Sequence, residues 1–104
     1  MNTKYKNSWI KALRSGKFKQ GIGVLRDYDT NTFCALGVLC HISGVPLVYN
    51  TQTKEIRYDK QLTSLSPRLL TEFQIDGETH DKLTGMNDLD KNFKQIADWI
   101  EEHL

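Results

Sequence analysis

The chain reads as an α+β domain: a small antiparallel sheet of one or two hairpins packed on a buried central helix, with helices flanking it at the N- and C-terminal ends. Three observations predict this. Thr32–Gly44 is the one stretch apolar on every side, which marks a buried hub. On either side of it, short apolar runs are interrupted by turn-rich spacers, the pattern of hairpins. At the two ends, apolar residues recur at helical spacing.

Taken in order, Asn7 or Ser8 can cap a first helix through Leu13, with Trp9, Ala12 and Leu13 on one face and Lys11 and Arg14 toward water. Ser15-Gly16 stops it, and only Met1–Asn7 reads as disordered. Val24–Tyr28 and Thr32–Cys34 flank Asp29-Thr30-Asn31 and predict a hairpin that leads into the hub. Within the hub, Leu36, Leu39 and Cys40 share a helical face, while Ala35, Val38 and Ile42 cover the rest. Gly37 sacrifices roughly 1 kcal/mol of helix propensity relative to alanine, so another element is expected to press closely on it. Gly44 and Pro46 end the hub.

Leu47–Tyr49 and Glu55–Tyr58 surround polar Asn50–Lys54 and predict a second hairpin, with Val48, Ile56 and Tyr58 able to face the core. Ser66-Pro67 starts a short helix that buries Leu69, Leu70 and Phe73. Glu78–Gly85 carries no readable periodicity; Leu83 is its one anchor, and Gly85 turns the chain into a Met86-Asn87-Asp88 loop. Asp90 or Asn92 then caps the last helix, with Phe93, Ile96, Ala97, Ile100 and Leu104 on its buried stripe and Trp99 widening it.

Residues 1–104 make one domain, of a size that buries roughly two thirds of its unfolded surface and needs no metal or disulfide staple. The opening MNTKYKNSW lacks an apolar core and a small-residue cleavage site, so no leader is expected, and no run is long enough to span a membrane. Two cysteines six residues apart on one element match neither disulfide nor zinc geometry, which predicts free thiols in a reducing cytoplasm. The net charge of +1 conceals a polarity. Residues 1–26 hold no acid and carry +7, 27–70 balance, and 71–104 carry −6. Lys11, Arg14, Lys17 and Lys19 could therefore meet nucleic acid or another polyanion, or the basic start could fold beside the acidic end and be neutralised there.

Candidate chemistry centres on Cys34, which sits where a strand is expected to enter a helix and where the helix N-terminus can favour a thiolate. His80 is the candidate base, because His41 lies seven residues along the same helix, about two turns away, and His103 is terminal. The competing reading makes Cys34 and Cys40 small buried hydrophobes. Gln20, Asn87, Asp88 and Phe18 could line a ligand pocket beside the hub; alternatively Asn87 and Asp88 bond local backbone, and Phe18 packs between solvated Lys17 and Lys19. Gly21 and Gly23 lack the lysine and hydroxyl of a phosphate loop, no ligand set has metal spacing, and no cofactor is implied.

Three segments carry a resemblance: Trp9-x3-Leu13-x-Ser15-Gly16-Lys17-Phe18-x-Gln20, then Phe33-Cys34-x-Leu36-Gly37-Val38-Leu39-Cys40, then Met86-Asn87-Asp88 with Phe93-x2-Ile96-Ala97-Asp98-Trp99-Ile100. Together they resemble an uncharacterised family of small proteins of phages, prophages and bacteria. The resemblance implies a phage-type accessory protein without an established activity, and it marks Gln20, Cys34, Asn87 and Asp88 as polar motif members. Ala35 and His41 depart from the pattern, which often has a second cysteine and an acid there. The expectation is non-enzymatic binding of a host protein or a small signalling molecule, such as inhibition of a host defence. A Cys34-dependent thiol enzyme and a polyanion binder are the alternatives.

Overall fold

The computed structural model describes residues 1–104 as an α+β fold of five helices and one two-stranded antiparallel sheet. Its elements are α1 (Thr3–Arg14), α2 (Ala35–Ile42), β1 (Leu47–Asn50), β2 (Glu55–Tyr58), α3 (Pro67–Phe73), α4 (Gly77–Leu89) and α5 (Phe93–His103). The hub sits at the centre as expected. Ala35 to Cys40 are all buried, because α2 meets α1 on one side, α4 on another and the backbone of the preceding segment on a third.

α1 begins at Thr3, capped by Asn2, whose Oδ1 accepts the Lys4 N–H at 3.1 Å. The stretch expected to be disordered is therefore helical. Asn2 also donates its N–H to the Phe73 carbonyl at 3.1 Å, so the end of α3 fixes the start of α1. Trp9 and Leu13 face the core as predicted, and Trp9 Nε1 donates to the Ala35 carbonyl at 2.8 Å, pinning α1 to the start of α2.

The expected first hairpin is reduced to one antiparallel bridge, Arg26 opposite Phe33, with the Asp27 N–H on the Thr32 carbonyl at 2.8 Å and the Cys34 N–H on the Leu25 carbonyl at 3.2 Å. Only single bridge pairings join Arg26 and Gln20 to Phe33. The ladder stops at Leu25, whose N–H goes to the Leu62 carbonyl at 3.0 Å, while the Cys34 carbonyl that would have accepted it takes the Val38 N–H as α2 begins. Asp27 closes the turn, taking the N–H groups of Asp29 and Thr30 on Oδ1. A ladder cannot lengthen when its backbone groups are already committed elsewhere.

The second hairpin forms in the register Leu47↔Tyr58 through Asn50↔Glu55. Ile56 and Tyr58 are buried, but Val48 is 64% exposed, because the register sets it opposite Arg57, on the face turned away from Ile56 and Tyr58. α3 starts at Ser66-Pro67 as expected, with Ser66 Oγ accepting the Leu69 N–H. α4 is the element the sequence did not announce. It runs from its cap Asp76 through the whole of Glu78–Gly85 and carries Asn87 and Asp88 in its last turns, where a loop was expected. α5 opens on a reciprocal cap between Asn92 and Gln95, so Asn92 and not Asp90 starts it. It buries Phe93, Ile96, Ala97 and Ile100 mainly against α1.

No helix is long and apolar enough to cross a membrane. The basic beginning does lie beside the acidic end: Arg14 reaches Asp98 at 2.7 Å and Glu101 at 3.0 Å.

Candidate functional site: a polar lock beside an open groove

Gln20, Cys34, Asn87 and Asp88, distant in the chain, meet where the Gln20–Leu25 segment crosses the start of α2 and the end of α4. Asn87 is the centre. Its Nδ2 donates to the Gly21 carbonyl at 2.9 Å and to Asp88 Oδ1 at 3.1 Å. Its Oδ1 accepts the Ala35 N–H and Gln20 Nε2, each at 3.1 Å. A primary amide offers two donors and two lone pairs, so Asn87, only 4% exposed, is fully engaged. Gln20 Nε2 also donates to the Lys91 carbonyl at 2.8 Å, and the Gly23 N–H to Asp88 Oδ1 at 3.4 Å.

This arrangement ties one irregular segment and two helices together through side chains rather than backbone ladders. The Ala35 N–H is one of the orphan donors of a helix start, and Asn87 supplies its acceptor from α4. Cys34 caps the same helix, its Sγ accepting the Gly37 N–H at 3.4 Å.

The surroundings of Cys34 oppose thiolate chemistry. Burial pushes its thiol up from 9.0 to about 11, against the pull of the Gly37 and Leu36 N–H groups, and nearby Asp88 adds to the rise. The cavity it shares with Gly23, Val24, Thr63, Thr84 and Asp88 is about 20 Å³, room for one water and far below the size of a metabolite site. His80 does not serve it. Nε2 of His80 accepts the Leu65 N–H at 3.1 Å and Nδ1 faces Asp81 Oδ1 at 3.2 Å, so both ring nitrogens are engaged in holding the loop before α3. Cys40 is fully buried and its thiol is likewise pushed up, by burial first.

Two measurements follow for Cys34. Iodoacetamide should label it at neutral pH no faster than the protein unfolds. Because the folded thiol holds its proton above the value of the unfolded one, the Cys34 share of stability, read as the difference from Cys34→Ser, should be constant below about pH 9 and then fall by about 1.4 kcal/mol per unit up to about pH 11, with Cys40 adding its own fall to both proteins. Rapid labelling of the native protein would contradict the geometry.

Phe18 is half-buried and packs edge-on against Phe33 at 5.2 Å and His41 at 5.7 Å, so its ring is largely committed to the core. Of the four basic candidates, Arg14 is paired to α5, whereas Lys11, Lys17 and Lys19 are exposed and make no ion pair. A second cluster went unread in the sequence. Arg26 stacks over Phe33 at 4.9 Å and bonds Asn31 and the hydroxyls of Tyr49 and Tyr58, and the Tyr58 hydroxyl lies 3.2 Å from His41 Nδ1. Burial, then Arg26, holds His41 below its ordinary value. No spacing rule links these residues, since they come from a turn, a helix and both strands.

The lock displays an apolar pair. Ile22 and Leu89 are 66% and 84% exposed, and together with Gln20, Asn87, Asp88 and Asp90 they border an open groove of about 380 Å³. A second shallow groove of about 330 Å³, lined by Leu13, Phe18, Phe93 and Lys94 among others, adjoins it at Gln20 and Asn92.

Fold and site thus define a small helical α+β domain in which a buried amide fixes an irregular surface segment. The chain belongs to the family described as a domain of unknown function (DUF8296), whose model matches residues 1–72. No curated protein and no solved structure matches it. The matched part holds Gln20, Gly21 and Ala35; Asn87, which joins them, and the buried stripe of α5 lie beyond residue 72.

Proposed function

We propose that the protein works by binding a partner protein and not by catalysis, as a small accessory protein of phage type that occupies a host component. The observation that carries this reading is the exposed pair Ile22 and Leu89, held on a segment and a helix that Asn87 locks together. Exposing two large apolar side chains on a fixed frame gives a preorganised surface, which lowers the ordering cost of association. The protonated Cys34 and the engaged His80 support binding over thiol catalysis. The shallowness of the grooves favours a macromolecule over a small signalling molecule, which a site normally encloses over most of its surface.

The test compares immobilised wild-type protein with Ile22→Ser and Leu89→Ser in lysates of several hosts, followed by denaturing release and mass spectrometry. A discrete protein retained by the wild type and lost from both variants is the expected result. Equal retention by all three, or a released small molecule in place of a protein, would overturn the reading.

A further inference from the structure

α4 turns one face to solvent along its length. At about 100° per residue, its buried side chains, His80, Leu83 and Asn87, cluster on one side, and Glu78, Asp81, Lys82, Gly85 and Leu89 fall on the other. Glu78, Asp81 and Lys82 are exposed and Leu89 is 84% exposed, so no other part of the chain covers them. Gly85 stands at the middle of this face. Glycine is the costliest residue after proline inside a helix, and α2 shows what can offset that cost: at Gly37 a Cβ would fall on the Leu25 carbonyl oxygen. At Gly85 a Cβ would meet nothing within 4 Å. The glycine therefore leaves a notch that no element of the chain fills. Leu89 lies one turn further on, and Ile22 borders the same groove as Leu89.

The charge around the notch has one sign. Asp76 to Asp90 hold five acids against Lys82 alone, whose ammonium lies over the Trp99 ring at 5.4 Å, toward α5. Glu78, Asp81 and Asp88 make no ion pair with a lysine or arginine, and Asp90 reaches only Lys91, at 3.9 Å. Asp88 and Asp90 stand at the end of α4, which has no basic residue in its last turn. Negative charge is disfavoured at that end of a helix, so a cation from outside is favoured there. The acids of α5 differ, because Arg14 meets Asp98 and Glu101.

We propose that the outer face of α4, from Glu78 to Leu89, docks a basic amphipathic helix of a partner protein. The notch at Gly85 admits the close approach of a second backbone. Asp81, Gly85 and Leu89 repeat at one-turn spacing, a row with a gap at its centre into which the ridge of another helix packs. Leu89 and Ile22 receive its apolar side chains, and Asp88 and Asp90 its lysines or arginines. A second copy presenting the same face would set acid against acid, so a different, basic chain is the occupant. The proposal rests on the binding reading above and specifies its partner.

The experiment uses the whole chain and a fluorescein-labelled helical peptide of about five turns, made of leucine, lysine and alanine with the leucines on one face. In an NMR titration the shifted amides should lie at Ile22 and from Glu78 to Asp90. Gly85→Ala and Gly85→Gln should both raise the denaturation midpoint, because the added side chain meets open space and removes the helix cost of glycine. Gly85→Gln should nevertheless bind the peptide about tenfold more weakly, the effect of overfilling a packed contact. A glycine with a purely structural role would not give a more stable protein that binds less well. Glu78→Gln combined with Asp90→Asn, both exposed positions, should weaken binding and flatten its dependence on salt. Unchanged binding by Gly85→Gln, equal affinity for an analogue with glutamate in place of lysine or for one broken by a central proline, amide shifts confined to other surfaces, no binding of the peptide, or concentration-dependent assembly of the protein would each overturn the proposal. If Gly85→Gln still captures the host protein that Leu89→Ser loses, the helix dock falls and the binding reading stands; if Ile22→Ser and Leu89→Ser lose nothing either, both fall.

Discussion

Asn87→Ala should destabilise the protein by about 3 to 5 kcal/mol, read as a lower denaturation midpoint at unchanged slope. The reason is not the four hydrogen bonds themselves, each of which exchanges for one to water on unfolding. It is what truncation leaves behind. The Ala35 N–H, at the buried start of α2, loses its acceptor, the Gly21 carbonyl loses its donor, and one donor position of Gln20 loses its acceptor. Stranding a buried group incurs its full desolvation penalty, about 1 to 3 kcal/mol each. Gln20 keeps the Lys91 carbonyl, so its share should be the smallest.

Asn87→Asp refines the test, because it conserves shape and keeps an oxygen for Ala35 and Gln20. Its second oxygen would face the Gly21 carbonyl and the Asp88 carboxylate, where Asn87 places a donor. Ionisation is disfavoured there, so the new carboxyl should titrate above its ordinary value. The folded variant then binds a proton more readily than the unfolded chain, and its deficit relative to wild type should shrink as the pH falls toward about 4. A deficit independent of pH would mean that the amide nitrogen does not hold the contacts described.

How far this site could be read from sequence differs residue by residue. The central helix was legible, because an all-round apolar run closed by a glycine has the pattern of a helix buried on most sides. So were the second hairpin, α3 and α5, whose turn residues and caps are local signals. Asn87 and Asp88 were singled out together with Gln20 and Cys34, but as a loop, because α4 offers little periodicity: Leu83 is its only fully buried apolar residue, and two of its three buried positions are His80 and Asn87. A helix held in place by polar contacts leaves no apolar stripe to find. The first hairpin was cut short for the converse reason. Its apolar runs and turn were real and leave one antiparallel bridge, yet the Leu25 N–H goes to Leu62, and no rule of local spacing anticipates such a non-local bond.

Gly37 is where sequence and structure converge most sharply, and Gly37→Ala should lower stability by about 3 kcal/mol. Helix propensity taken alone predicts the opposite sign, a gain of about 1 kcal/mol for alanine within α2. The deciding fact is the neighbour. A Cβ on Gly37 would fall on the Leu25 carbonyl oxygen, with the Leu25 carbonyl carbon 2.6 Å away, well inside contact distance. A flexible side chain could step aside, but this is backbone, held by the Cys34 N–H on one side and through Leu62 on the other. Relief requires moving the whole Gly21–Leu25 segment off α2, which stretches the bonds from Gly21 to Asn87 and from Gly23 to Asp88. Gly37→Ala should therefore also speed amide exchange at Gly21 and weaken the partner binding proposed for Ile22, whereas a strain confined to α2 would leave both unchanged. A stabilised Gly37→Ala protein would show that the close approach of Leu25 to α2 is wrong.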